Sequence, residues 1–180
     1  GIVFNGKNGT VYGDVTLDES LTINQGETLT IPEGSSLNAN GKLTNDGTIN
    51  VEDGGTVSGT LNDGTTITTP SISQQPQSTT VTEGQDATFT VEASAGSETP
   101  TYQWQQSTDN GSSWTNIESE TSASYTINST NTSMNGYQYR CVVTDSGVSV
   151  ISAPATLTVN EPVTYAITVH ASAGGTATAD

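Results

Sequence analysis

The sequence predicts an all-β chain in two successive regions: a short β-solenoid over residues 1–69, then a two-sheet β-sandwich over residues 70–160. Residues 161–180 read as a linker and the incomplete start of a further repeat domain. Three observations carry this: a composition rich in Thr, Ser, Asn and Gly, a strict alternation of aliphatic residues before Pro70, and a change of pattern at Pro70. With 31% hydrophobic and 12% charged residues, the surface must be built mostly from neutral polar side chains, and β-branched Thr suits exposed strand positions.

The first region is defined by parity. Between Val15 and Ile67 every Leu, Ile and Val has an odd number: Val15, Leu17, Leu21, Ile23, Leu29, Ile31, Leu37, Leu43, Ile49, Val51, Val57, Leu61 and Ile67. Chance gives thirteen such residues one parity about once in 4,000 trials, and a period of two marks extended chain with one buried face. A two-residue hairpin would switch the parity, because its flanking residues i and i+3 face the same side. A tight-hairpin meander, with Asp46-Gly47 as one loop, is therefore disfavoured. What fits is a coil whose short strands follow one another around one interior, with Gly26, Gly34, Asn40-Gly41, Gly47, Gly54-Gly55, Gly59 and Gly64 expected to supply positive φ at the corners. Asp46, Asp53 and Asp63 each precede Gly and read first as turn formers, with a calcium ladder as the lesser alternative.

Stretches such as LTIPEGSSLNANGKLTNDGTI resemble the right-handed β-helix repeats of bacterial surface adhesins and pectate-lyase-like proteins. The six-residue step is also similar to that of hexapeptide acyltransferases, but their catalytic His has no counterpart here, since the one His is His170, beyond the repeats. A pectate-lyase-like site would need basic residues, of which this region holds Lys7 and Lys42 alone.

After Pro70, alternating segments recur near 78–82, 86–93, 101–106, 113–118, 123–127, 136–144 and 148–159, a spacing suited to a sandwich, with Pro70 and Pro76 reading as a linker into a broken first strand. GQDATFTVEASAG, TYQWQQS, SASYTI and NGYQYRCVVTD resemble strands B, C, E and F of bacterial immunoglobulin-like domains. The resemblance implies that Trp104 packs the core, that Cys141 takes the strand-F cysteine position, that Tyr139 takes the corner-tyrosine position, and that Val91 stands where a partner cysteine would. With one cysteine there is no intrachain disulfide, and Cys141 is expected to be a buried small hydrophobe. Ser107 to Trp114 reads S-x-D-x-G-x-x-W and resembles the Asp-box hairpin of sialidases. A single copy implies structural roles: Asp109 accepting backbone N–H groups, Gly111 at positive φ, and Trp114 folded over the turn.

Charge excludes one class of partner. Nineteen acidic residues against Lys7, Lys42 and Arg140 give a formal net charge of -16, which repels nucleic acid and anionic membranes. There is no apolar run of roughly 18 residues, so no direct membrane insertion is expected, and any export or anchoring signal is expected outside these residues. One His, one Cys and scattered turn Asp residues assemble no nucleophile with its base and no metal triad, so no enzyme, no cofactor, no metal and no catalytic residue is expected. His170 is expected to be a strand residue.

These readings describe a non-catalytic structural or adhesive module of a secreted or cell-surface bacterial protein. Its expected partners are other domains of the same chain and a host or cell-wall glycan or protein. The alternative is a carbohydrate-binding module accessory to an extracellular glycan-active enzyme, for which exposed aromatics would serve: Phe4, Tyr12, Tyr102, Trp114 and Tyr137.

Overall fold

A computed structural model describes residues 1–94 and 99–167. His170 and most of the expected further repeat domain lie outside them. The described residues are built into strands and connecting turns, with one 3-10 turn among them, at Thr132–Met134.

The first nine strands are β1 (Ile2–Asn5), β2 (Asn8–Val11), β3 (Asp14–Thr16), β4 (Leu21–Ile23), β5 (Thr28–Ile31), β6 (Ser36–Asn38), β7 (Leu43–Asn45), β8 (Thr48–Val51) and β9 (Thr56–Ser58). Apart from the antiparallel β1–β2 hairpin, neighbours in sequence do not pair with each other. Pairing is parallel and reaches the strand three places on: β2 with β5 with β8, β3 with β6 with β9, and β4 with β7. Leu43 then meets Leu61 in a parallel bridge. Asn8 lies beside Thr28, and Thr28 beside Thr48, so each twenty-residue step returns the chain to the same ladder. Asp46-Gly47 joins β7 to β8, which belong to different ladders.

All thirteen odd-numbered aliphatic residues join one core. Nine of them, from Leu17 to Val57, are buried, while Val15, Leu21, Leu61 and Ile67 are half-buried against it. Parallel partners offset by an even number of residues, as Thr28 is from Asn8 and Thr48 from Thr28, keep the inward positions at one parity.

The corner glycines divide into two kinds, which corrects the uniform expectation of positive φ. Gly26, Gly34, Gly41, Gly54, Gly59, Gly64 and Asn40 do take positive φ. Gly47 and Gly55 do not; there the demand is space. A Cβ on Gly55 would collide with the Ile31 carbonyl oxygen, and one on Gly47 would lie 2.5 Å from two carbonyl oxygens, those of Asn24 and Glu27.

The later strands are β10 (Ser71–Gln74), β11 (Thr79–Thr82), β12 (Ala87–Thr90), β13 (Glu92–Ser94), β14 (Thr101–Ser107), β15 (Thr115–Asn116), β16 (Ser124–Ile127), β17 (Gln138–Asp145), β18 (Val148–Ile151) and β19 (Ala155–Asn160). One layer pairs β15, β14, β17 and β18, with β19 on β17 and β11 parallel to β19; the other pairs β12 with β16 and β10 with β13. This is the strand pairing of an immunoglobulin-like sandwich. The alternating segment at 148–159 divides at 152–154, where Pro154 has no N–H to give, and PATLTV, residues 154–159, which reads from the sequence as the final sandwich strand, supplies β19.

Between the layers lies an aromatic core. Trp104 is fully buried, and its indole Nε1 donates to the Ser122 carbonyl at 2.9 Å. Phe89 stacks on Tyr139 with ring centroids 4.8 Å apart, and Tyr125 stands 5.7 Å from Tyr139. Cys141 pairs across the strands with Trp104, and Val91 belongs to the same core.

Pro70 and Pro76 are buried, so the segment that reads as a linker is pressed into the fold. Residues 161–167 belong to no strand or helix, and Val163, Tyr165 and Ile167 are exposed.

Candidate functional site

The two regions meet through backbone. Strand β18 pairs in parallel with β8, Val148 beside Ile49, Ser149 beside Asn50 and Val150 beside Val51, so one sheet runs from β1 across the stacked strands into the sandwich. The device that delivers β18 is the two-residue β17–β18 turn, with Ser146 and Gly147 both at positive φ. This is the backbone twist that tight hairpins require. The tip is held from below: the Ile49 amide donates to the Gly147 carbonyl at 2.9 Å, Asn45 Nδ2 donates to the same oxygen at 3.3 Å, and Thr68 Oγ1 donates to the buried Asp145 carboxylate at 3.2 Å. Val148 is 3% exposed and sits in the aliphatic core of the first region, although its strand belongs to the sandwich. Val150 packs against both cores.

Beside this joint opens a cleft made of two contiguous cavities, of about 240 Å³ and about 350 Å³. They share Glu52, Asp53, Gln75 and Ile151. Glu52 and Asp53 stand on the turn after β8, and Arg140 stands on the outward face of β17. Arg140 is held by its own sheet: its guanidinium lies 4.2 Å from the Trp114 ring centroid and its Nε donates to Gln105 Oε1 at 2.7 Å. Burial lowers its pKa, and the Glu52 carboxylate works against that shift. Gln75 Oε1 accepts the Ala153 amide at 2.9 Å, which fixes the cleft's floor.

The aromatic candidates do not converge. Tyr102 and Tyr137 are half-buried against the sandwich core, and Trp114 lies under Arg140. Phe4 and Tyr12 are exposed, but on the β1–β2 hairpin, where the Phe4 ring also covers Gly9 closely enough that a Cβ there would lie 2.7 Å from it. Sequence reading missed Glu52, Gln75 and Arg140 as a group, and nothing in the sequence brings residues 52, 75 and 140 together.

The Asp-box-like hairpin is a closed hydrogen-bonded turn. Asp109 accepts from Ser113 N at 2.8 Å, Ser113 Oγ at 2.6 Å and Ser107 Oγ at 2.7 Å, and Trp114 Nε1 donates to the Gly111 carbonyl at 3.1 Å. The Ser113 bonds above all hold the Asp109 pKa down at about 2. Asp63 is likewise lowered, by accepting from Thr65. Among the described residues no group of three or more His, Cys, Asp or Glu is placed to hold a metal ion. Burial pushes the Cys141 thiol up to about 12, the reverse of what a nucleophilic cysteine needs. No helix of the described residues is long and apolar enough to cross a membrane.

An all-β protein bearing an immunoglobulin-like sandwich, continuous with a set of parallel ladders, is the class this geometry defines. Residues 57–161 match the family described as "Domain of unknown function (DUF8696)", and the chain belongs to that family. The chain is also 40% identical over 92 residues to Endoglucanase C of Cellulomonas fimi, a match covering 51% of this chain and 8% of that protein. Among solved structures, it is similar to titin domain M7 (31% identity, 52% of this chain and 97% of that one, TM-score 0.40). It is similar also to the N-terminal Ig1-2 module of the Drosophila receptor protein tyrosine phosphatase DLAR (21% identity, 58% and 52%, TM-score 0.44).

Proposed function

We propose that this chain is a non-catalytic structural module of a secreted or cell-surface bacterial protein. In it, a short β-solenoid over residues 1–69 is coupled without slack to the immunoglobulin-like sandwich over 70–160, and residues 161–180 lead into a further repeat. The parallel pairing of β18 with β8 is the observation that supports this most. A spacer that must hold an orientation gains more from a shared sheet than from a loop, because a ladder fixes both direction and register. Right-handed winding is the expected hand, since about 98% of parallel crossover connections have it. The experiment is residual dipolar coupling on the aligned, labelled chain. One alignment tensor should fit the amides of both regions; two unrelated tensors would reject the connector reading.

A second reading is favoured by the likeness to Endoglucanase C. The matched stretch is a small part of that protein, as an accessory module beside a catalytic domain would be. In this reading the chain serves a glycan-active enzyme as a spacer or a sugar-binding part.

A further inference from the structure

We propose that the cleft at the joint is a binding site for a neutral oligosaccharide, an inference that rests on the second reading above and gives it a location. The argument begins with polar groups the fold leaves unused. Neither the Glu52 nor the Asp53 carboxylate makes a hydrogen bond or ion pair with a described residue, yet both line the cleft. Arg140, which lines the same cleft, engages Gln105 through Nε, and its terminal nitrogens make no hydrogen bond with a described residue. Opposite charges thus face one cleft without closing on each other, although Glu52 is near enough to be felt by the guanidinium. The segment from Ile151 to Pro154 lines the same cleft, and its Ile151, Ala153 and Pro154 supply an apolar strip.

The chemistry of the occupant follows. A sugar hydroxyl both donates and accepts, so one ring can give hydrogen bonds to the carboxylates and take them from Arg140 and the Gln75 amide, while its C–H face lies on the apolar strip. An acidic glycan would meet two carboxylates in a molecule of net charge -16, and a cationic peptide would meet Arg140. The larger cavity, about 350 Å³, falls in the range of small-ligand pockets. The cleft is held in shape before any ligand arrives by the β8–β18 ladder and by the Gln75–Ala153 bond, so little ordering entropy is lost on binding.

The test is titration of the ¹⁵N-labelled chain with four probes, the hexasaccharides of β-1,4-glucan, β-1,3-glucan, β-1,4-mannan and β-1,4-xylan, followed by amide shifts. At least one probe should give saturable shifts at residues 52–55 and 151–153. The E52A/D53A double variant should weaken that binding about tenfold, because charge-assisted hydrogen bonds are lost. Its unchanged spectrum elsewhere would certify the fold. Tyr12→Ser, on the far hairpin, should leave affinity untouched. Absence of saturable cleft shifts with all four probes at millimolar concentration would overturn the site. Saturable shifts confined to Phe4 and Tyr12 would overturn it too, while leaving sugar binding by the module intact. Retained affinity in a correctly folded E52A/D53A chain would do the same. Failure of the connector reading is seen separately, in the alignment tensors.

Discussion

The two regions bury their side chains by opposite strategies. The stacked strands use aliphatic residues alone, in one unbroken phase, with parallel partners about twenty residues away. The sandwich uses Trp104, Phe89, Tyr125 and Tyr139 between two layers, with largely antiparallel partners at varied distances. A repeating core needs each coil to fit the next, so it favours side chains of similar size and leaves little room at the corners. A closed sandwich core is filled once, so it accepts a few large rings. Val148 and Val150 show that the two cores are nevertheless joined: residues of the second strategy complete the first.

The most forceful way to break this comparison is to empty one core and watch the other. Trp104→Ala should lower stability by about 3–5 kcal/mol, in line with truncation of a fully buried aromatic, and Leu43→Ala by about 2–5 kcal/mol. Guanidinium unfolding followed by circular dichroism should show one transition in both variants, because β18 belongs to both regions. Two separated transitions in the wild-type chain would mean the cores are independent.

A smaller effect separates the two kinds of corner. Gly55→Ala, whose Cβ must push the Ile31 carbonyl, should destabilise by about 1–3 kcal/mol. Gly26→Ala would meet nothing nearer than Lys7 Nζ at 3.9 Å but sits at a φ of +79°, so its effect should be about 1 kcal/mol. Equal effects would remove the distinction between space and conformation.

The smallest effect belongs to the exposed hairpin of the sandwich. The folded pKa of Asp109 is depressed from 3.8 to about 2, so its stabilisation is complete above the ordinary value and is lost as pH falls through the window between the two. Amide exchange at Ser113 should accelerate across that window, and D109N should abolish the acid dependence. An acid profile unchanged in the variant would assign the effect to another group.

How much was legible follows from the same contrast. The first core could be read from the sequence because inward positions from Leu17 to Val57 share one parity whatever the partners are. The sandwich strands near Trp104 and Cys141 were legible through their local alternation. The final strand was legible as PATLTV over 154–159, where Pro154 marks the break from the preceding alternation. The joint was hidden for a physical reason. Val148 alternates like any strand residue after a turn, and which core an edge strand enters is decided by tertiary pairing that no local pattern encodes. The cleft was hidden with it, since Glu52 and Arg140 meet only because β18 docks on β8. Of the aromatics offered for sugar binding, Tyr102, Tyr137 and Trp114 have packing partners, as Trp114 under Arg140 shows, while Phe4 and Tyr12 are exposed.

Hydrogen exchange at one amide tests the shared sheet most directly. The Ile49 N–H donates across the joint to the Gly147 carbonyl, so it should exchange as slowly as amides in the interior of the sandwich, and Val148→Asp should release it. An Ile49 amide that exchanges at the rate of an unstructured peptide in the wild-type chain would contradict the account.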